Sequence, residues 1–222
     1  MVHLDPEGRG DLRLVPGEVD LTIDVSGSCA TAIRFELPPG GLADPVRVRV
    51  PRGLLIDGVV TDIGGAPLAG AIVTYLGNHN HYDVRTEFTD VDGRYRISGA
   101  RADGFLVITK RDFAPVGVPV ADTIDIGGGD RRFDTRLHCG VTYHGTVRHA
   151  DRRLAVGVVV DPLPAAPAER FGAPLAPAPV DANGEYRLEH MPSIPLRLVV
   201  DDVERSVEGR DGETIRVDFV IP

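Results

Sequence analysis

One turn signature occurs twice in this chain, each time in the same company, and it limits the fold more than any other feature. Asp90-Val-Asp-Gly-Arg-Tyr-Arg-Ile97 and Asp181-Ala-Asn-Gly-Glu-Tyr-Arg-Leu188 share the pattern Asp-x-(Asp/Asn)-Gly-x-Tyr-Arg-(Ile/Leu). Upstream, Gly58-Val-Val-Thr-Asp62 and Gly145-Thr-Val-Arg-His149 open each copy, followed by a turn and the apolar runs Leu68–Tyr75 and Leu154–Val160. Downstream, Phe105–Ile108 and Leu196–Val200 follow each turn. Self-similarity of this kind marks a repeated structural unit. The chemistry of the unit is that of strands. Asp-Gly and Asn-Gly supply the positive φ of a tight hairpin, and the Asx side chain bonds its own backbone. Tyr95 with Ile97, and Tyr186 with Leu188, alternate at period two, which places them on one face of a sheet. No stretch holds a 3.6-residue period, so the fold class is all-β.

Composition agrees. With 26 Gly, 18 Pro, 5% aromatic residues and no Trp in 222 residues, many short strands joined by turns are favoured over long helices. A net charge of −9 with no basic run lacks the footprint of a nucleic-acid or anionic-lipid binder. No run approaches the length of a membrane span, and Met1–Glu7 has neither a basic nor an apolar leader segment, so no export signal is read there. Cys29 and Cys139 are too few for a disulfide framework.

The organisation expected is two complete modules, residues 53–137 and 138–222, preceded by a partial one. Residues 1–52 echo only the back half of the unit. Gly10-Asp-Leu-Arg-Leu14 matches Gly184-Glu-Tyr-Arg-Leu188, Val19–Ile23 matches the later strand, and Ala32–Leu37 and Val46–Val50 are expected to close the module. The opening strands have no counterpart, which leaves a fragment, a rearrangement, or completion by another chain. In the last module the stretch 162–179, rich in Pro and Ala, is expected to be an exposed extended loop, since proline cannot serve a central strand.

Gly58-Val-Val-Thr-Asp-x-x-Gly-x-Pro67-Leu-x-Gly-Ala-x-Val73, followed by Thr89-Asp-x-Asp-Gly-x-Tyr95-x-Ile97, resembles the carboxypeptidase regulatory-like domain. Residues 53–137 carry the pattern most fully, and residues 138–222 carry it in more divergent form. The resemblance implies a transthyretin-like (prealbumin-like) Greek-key β-sandwich of seven strands, here in tandem. It also implies a non-catalytic role as stalk, spacer or binding module, and an extracellular or envelope location.

Several groups are candidates for chemistry. His79 and His81, two residues apart in the loop Asn78–Tyr82, could present two imidazoles to a metal, but spacing supplies no third ligand. His138, His144, His149 and His190 lie near strand ends of the last module and could gather with Cys139. Asp90-Val-Asp-Gly93 is read as a hairpin turn rather than a calcium loop, because Arg94 and Arg96 follow where a further acidic ligand is needed. Asp90, Asp92, Gly93, Asp181, Asn183 and Gly184 are therefore structural turn residues. Tyr75, Tyr82, Tyr143 and Phe171 are the candidate ligand-contacting aromatics. Arg85–Tyr95 also resembles a stretch of the intradiol dioxygenases, whose downstream Arg-Pro-x-His-x-His segment has no match here; the zinc-peptidase His-x-x-Glu and the Gly-x-Ser-x-Gly elbow are likewise missing. Cys29 is expected to be a buried or half-buried thiol.

The sequence thus reads as a non-enzymatic tandem β-sandwich acting as spacer, scaffold or binding module. No cofactor is expected. The partners would be protein, glycan or a second copy joined through strands of residues 1–52. The alternative is a metal-dependent enzyme built around His79 and His81.

Overall fold

The computed structural model describes residues 5–42, 44–77, 83–165 and 175–222. Strands β1 (Gly17–Ile23) and β2 (Thr31–Leu37) form a separate two-stranded antiparallel sheet. Nine strands follow: β3 (Leu54–Asp62), β4 (Ile72–Leu76), β5 (Val84–Phe88), β6 (Arg94–Ala100), β7 (Phe105–Thr109), β8 (Val116–Pro119), β9 (Ile124–Gly127), β10 (Asp130–Arg132) and β11 (Thr135–Leu137). The last eight are β12 (Val141–His149), β13 (Val159–Pro164), β14 (Ala178–Pro179), β15 (Glu185–Met191), β16 (Leu196–Val200), β17 (Val203–Val207), β18 (Thr214–Arg216) and β19 (Phe219–Ile221).

The two sets of strands repeat one topology. In the first, β3 is flanked by antiparallel β6 and by parallel β10 and β11, and the second sheet runs β5-β4-β7-β8. In the second, β12 is flanked by antiparallel β15 and by parallel β18 and β19, and the other sheet runs β14-β13-β16-β17. Each pair of sheets encloses its own apolar cluster. One contains Ile56, Val73, Tyr75, Ile97, Leu106 and Ile108; the other contains Val141, Tyr143, Val160, Leu188, Leu198 and Phe219. The alternation that suggested strands is what fills them: in β6 and β15 every second side chain is buried along most of the strand.

Two expectations are corrected. The N-terminal segment does not close as a partial sandwich; only β1 and β2 pair, and residues 10–14 and 46–50 carry no strand. The topology supplies the reason. Strands at the position of 10–14, namely β6 and β15, pair with the opening strand of their module, and so do β10, β11, β18 and β19 at the position of 46–50. The described residues of the N-terminal segment hold no opening strand, so neither finds that partner there. β1 and β2 correspond to β7–β8 and β16–β17, which pair with each other and so survive.

The second correction concerns the two ends of the Pro-rich stretch; its middle, residues 166–174, lies outside the described residues. β13 runs through Pro162 and Pro164, which among the described residues pair with β16 alone, and β14 takes up Ala178–Pro179. The Ala165 N–H bonds the Pro195 carbonyl at 3.0 Å, on the side of β16. By strand alternation, the missing N–H groups of Pro162 and Pro164 then both point the other way. On that side β14 pairs only with Val159 and Val160. Two prolines at even spacing therefore cost the ladder nothing.

Candidate functional site

The same joint is built once in each module, where the last strand breaks as it passes the opening strand. In the first module the break falls at Phe133–Asp134, between β10 and β11. A Cβ on Gly58 would collide with the Phe133 carbonyl, so glycine is what lets the broken strand approach. The Phe133 N–H bonds the Asp57 carbonyl at 2.9 Å. The Phe133 carbonyl, turned out of the ladder, accepts the Tyr95 hydroxyl at 2.8 Å, and Asp134 Oδ1 accepts the Val59 N–H at 2.9 Å.

Every part recurs in the second module. Gly145 faces the Val217 carbonyl with no room for a Cβ. The Val217 N–H bonds the His144 carbonyl at 2.8 Å, the Tyr186 hydroxyl donates to the Val217 carbonyl at 2.8 Å, and Asp218 Oδ1 accepts the Thr146 N–H at 2.8 Å. Burial, with the neighbouring carboxylates adding to it, pushes both phenols well above the ordinary tyrosine range. Both therefore stay protonated donors. Asp218 moves the other way: partial burial raises its carboxyl, but hydrogen bonds from Thr146 and Arg216 outweigh this and hold it below the usual carboxylate range. Asp134 and Asp218 escaped the reading of the sequence. The signal was present as Arg132-Phe-Asp134 and Arg216-Val-Asp218, an Arg, an apolar residue and an Asp before the last short strand.

Around each joint lies an open cleft on the outer face of the sheet. Asp57, Gly58, Tyr95, Arg96 and Arg132 line one of about 320 Å³, and His144, Gly145, Tyr186, Arg187 and Arg216 line one of about 550 Å³. Three of their arginines are engaged locally: Arg132 with Asp134 at 2.9 Å, Arg216 with Asp218 at 3.0 Å, and Arg187 with Glu189 at 2.6 Å.

The turn residues sit beside these clefts. Asp90 Oδ1 accepts the N–H groups of Asp92 and Arg94 at 2.9 and 2.8 Å; Asp181 Oδ1 accepts those of Asn183 and Glu185 at 2.8 and 2.9 Å. Those two backbone bonds hold the Asp181 carboxyl below its ordinary value. Gly93 and Gly184 adopt φ of 71° and 75°. Their carbonyls accept the N–H groups of Val60 and Val147, both at 2.8 Å, which ties each turn to its opening strand. Asp92 and Asn183 occupy the exposed corners.

Of the ligand-contacting aromatics, Tyr75 and Tyr143 are corrected: both are fully buried. The Tyr75 hydroxyl accepts the Arg101 N–H at 2.9 Å and lies 3.4 Å from buried Asp83. Tyr82 and Phe171 lie outside the described residues, as do the metal candidates His79 and His81. The other histidines do not gather. His138 pairs with Asp211 at 3.2 Å, His149 bonds the Pro222 carbonyl at 2.9 Å, His190 bonds the Cys139 carbonyl at 2.9 Å, and His144 lines the second cleft. Among the described residues no group of three His, Cys, Asp or Glu side chains is placed to hold a metal.

Cys29 is buried where the β1–β2 connection docks on the first module. Its thiol lies 3.6 Å from the Ala100 carbonyl, and burial raises its pKa. The docking is polar as well: the Arg101 guanidinium donates to the Ala30 carbonyl at 3.0 Å, and Arg85 grips Asp24 through two bonds of 2.8 and 3.2 Å.

No family model matches this chain, and no curated protein matches it. Similar solved structures include a streptococcal ancillary pilin, with 10% identity, 92% of this chain and 76% of that one covered, and a TM-score of 0.32. A minor pilin of Streptococcus agalactiae has 11% identity, coverage of 76% and 97%, and a TM-score of 0.38. The shaft pilin of Lactobacillus rhamnosus GG has 9% identity, coverage of 76% and 96%, and a TM-score of 0.27. Likeness at that level carries no functional assignment; the all-β fold stands on the strand pairings themselves.

Proposed function

We propose that this chain is a non-catalytic tandem β-sandwich that serves as a spacer or scaffold and assembles with partners through its N-terminal strands. The observation that carries this reading is the twice-built joint. Gly58, Tyr95 and Asp134, like Gly145, Tyr186 and Asp218, use the polar groups of each module to seal a strand break, so the repeated motifs serve the architecture. Each module has its own core, and the connection between them is short: β11 ends at Leu137 and β12 begins at Val141. A short connection between separately cored units suits an end-to-end array. The carboxypeptidase regulatory-like resemblance adds the envelope or exterior as the place such an array would work.

Small-angle scattering tests the spacer reading. An elongated particle is expected, and the profile of a compact sphere would overturn it.

A further inference from the structure

We infer that the outer edge of β1 is a docking site for the segment Val46–Val50 of a second copy, exchanged reciprocally between two chains. This deepens the assembly reading above and rests on it.

Three observations converge on that edge. The first is topological. The strands matching β1 are β7 and β16, and each is paired on both sides: β7 by β4 and β8, β16 by β13 and β17. β1 has only β2. The vacancy is the place of an antiparallel second strand, since β4 and β13 both run antiparallel to their neighbour. A two-stranded sheet is marginal in water, and a third strand is what stabilises it.

The second observation is charge. On the exposed face of the hairpin Glu18, Asp20 and Glu36 surround one cation, Arg34, which bonds Asp20 at 2.6 Å and Glu18 at 3.3 Å. Glu18 lies directly opposite Glu36, a like-charge pair that destabilises a sheet. The edge therefore calls for a strand bearing positive charge at alternate positions.

The third observation identifies the strand. Val46-Arg-Val-Arg-Val50 alternates apolar and basic residues, has the length of a short strand, and makes no ladder pairing with any described residue. Its arginines are exposed, while Val48 and Val50 are half-buried. Laid antiparallel on β1 with Val48 opposite Val19, it sets Arg49 against Glu18 and Arg47 against Asp20. The same register places Val46 opposite Leu21, on the apolar face with Val19. The chain's own copy is tethered elsewhere: Ser28 bridges Arg52, and the Cys29 and Gly53 N–H groups bond the Pro51 and Gly27 carbonyls, both at 3.0 Å. Reciprocal exchange about a twofold axis closes the assembly at a dimer.

The test uses the full chain. Light scattering over a concentration series is expected to show a dimer. Arg47→Glu with Arg49→Glu places four carboxylates along one seam and is expected to weaken it by about tenfold or more; both arginines are exposed, so the cores are untouched. In a Cys139→Ala background, a Val19→Cys chain mixed with a Val48→Cys chain is expected to form a disulfide-linked dimer under mild oxidation, which neither chain forms alone. A monomer at every concentration would overturn the inference while leaving the scattering test of the spacer reading intact. So would a dimer indifferent to the charge reversal, or failure of the mixed chains to cross-link. A chain carrying both cysteines that closes on itself at monomer mass would show its own segment filling the edge, and would equally refute the second copy.

Discussion

At the scale of single residues, the joints explain which side chains of the repeated motif are replaceable. Tyr95→Phe and Tyr186→Phe each remove the hydroxyl that satisfies a carbonyl turned out of the ladder. Each should lower stability by about 1–2 kcal/mol in a denaturant titration with the fold unchanged. Asp218 makes the acid limb of stability testable. Its folded pKa lies below the unfolded value of about 3.9, so its contribution is full above that value and fades as pH falls through the folded one. Asp218→Asn should therefore flatten the loss of stability below about pH 4, measured as Tm against pH. The glycine and tyrosine were legible because they recur with fixed chemistry. The burial of Tyr75 and Tyr143 was legible only in part: each shares its strand parity with buried neighbours, Val73 and Val141, but parity gives the face and not the depth.

At the scale of elements, the turns and the proline strand show where local chemistry suffices and where it does not. Gly93 and Gly184 hold positive φ with backbone or side-chain atoms close behind them. Gly93→Val and Gly184→Val should each lose about 1–3 kcal/mol; a variant that melts with the parent would contradict the hairpin geometry. At Pro162 and Pro164 the expectation of a loop fails for a definable reason. Proline forbids a ladder bond on one side only, and whether that side carries a neighbour depends on how far β14 reaches along β13. No pattern within residues 159–164 contains that length. The N-terminal hairpin is the converse case: 10–14 and 46–50 have strand-like alternation, yet neither is a strand, because alternation qualifies a segment for a sheet without providing one.

At the scale of the whole molecule, two cores with no shared residue imply two units that respond separately to damage. Leu198→Ala, at a fully buried position, should cost about 2–5 kcal/mol locally. It should speed amide exchange across 141–221 while leaving 54–137 as in the parent; equal acceleration in both would show one cooperative unit. The all-β class, the repeated unit and the hairpin turns follow from the residues alone, because period-two alternation and Asx-Gly chemistry act over a few residues. Tertiary structure alone decided the break in the last strand at Phe133 and Val217, the depth of the tyrosines, the side on which Pro162 and Pro164 face, and the open edge of β1. Each of these depends on which strand lies alongside, and a strand's neighbour is set by segments distant in the chain.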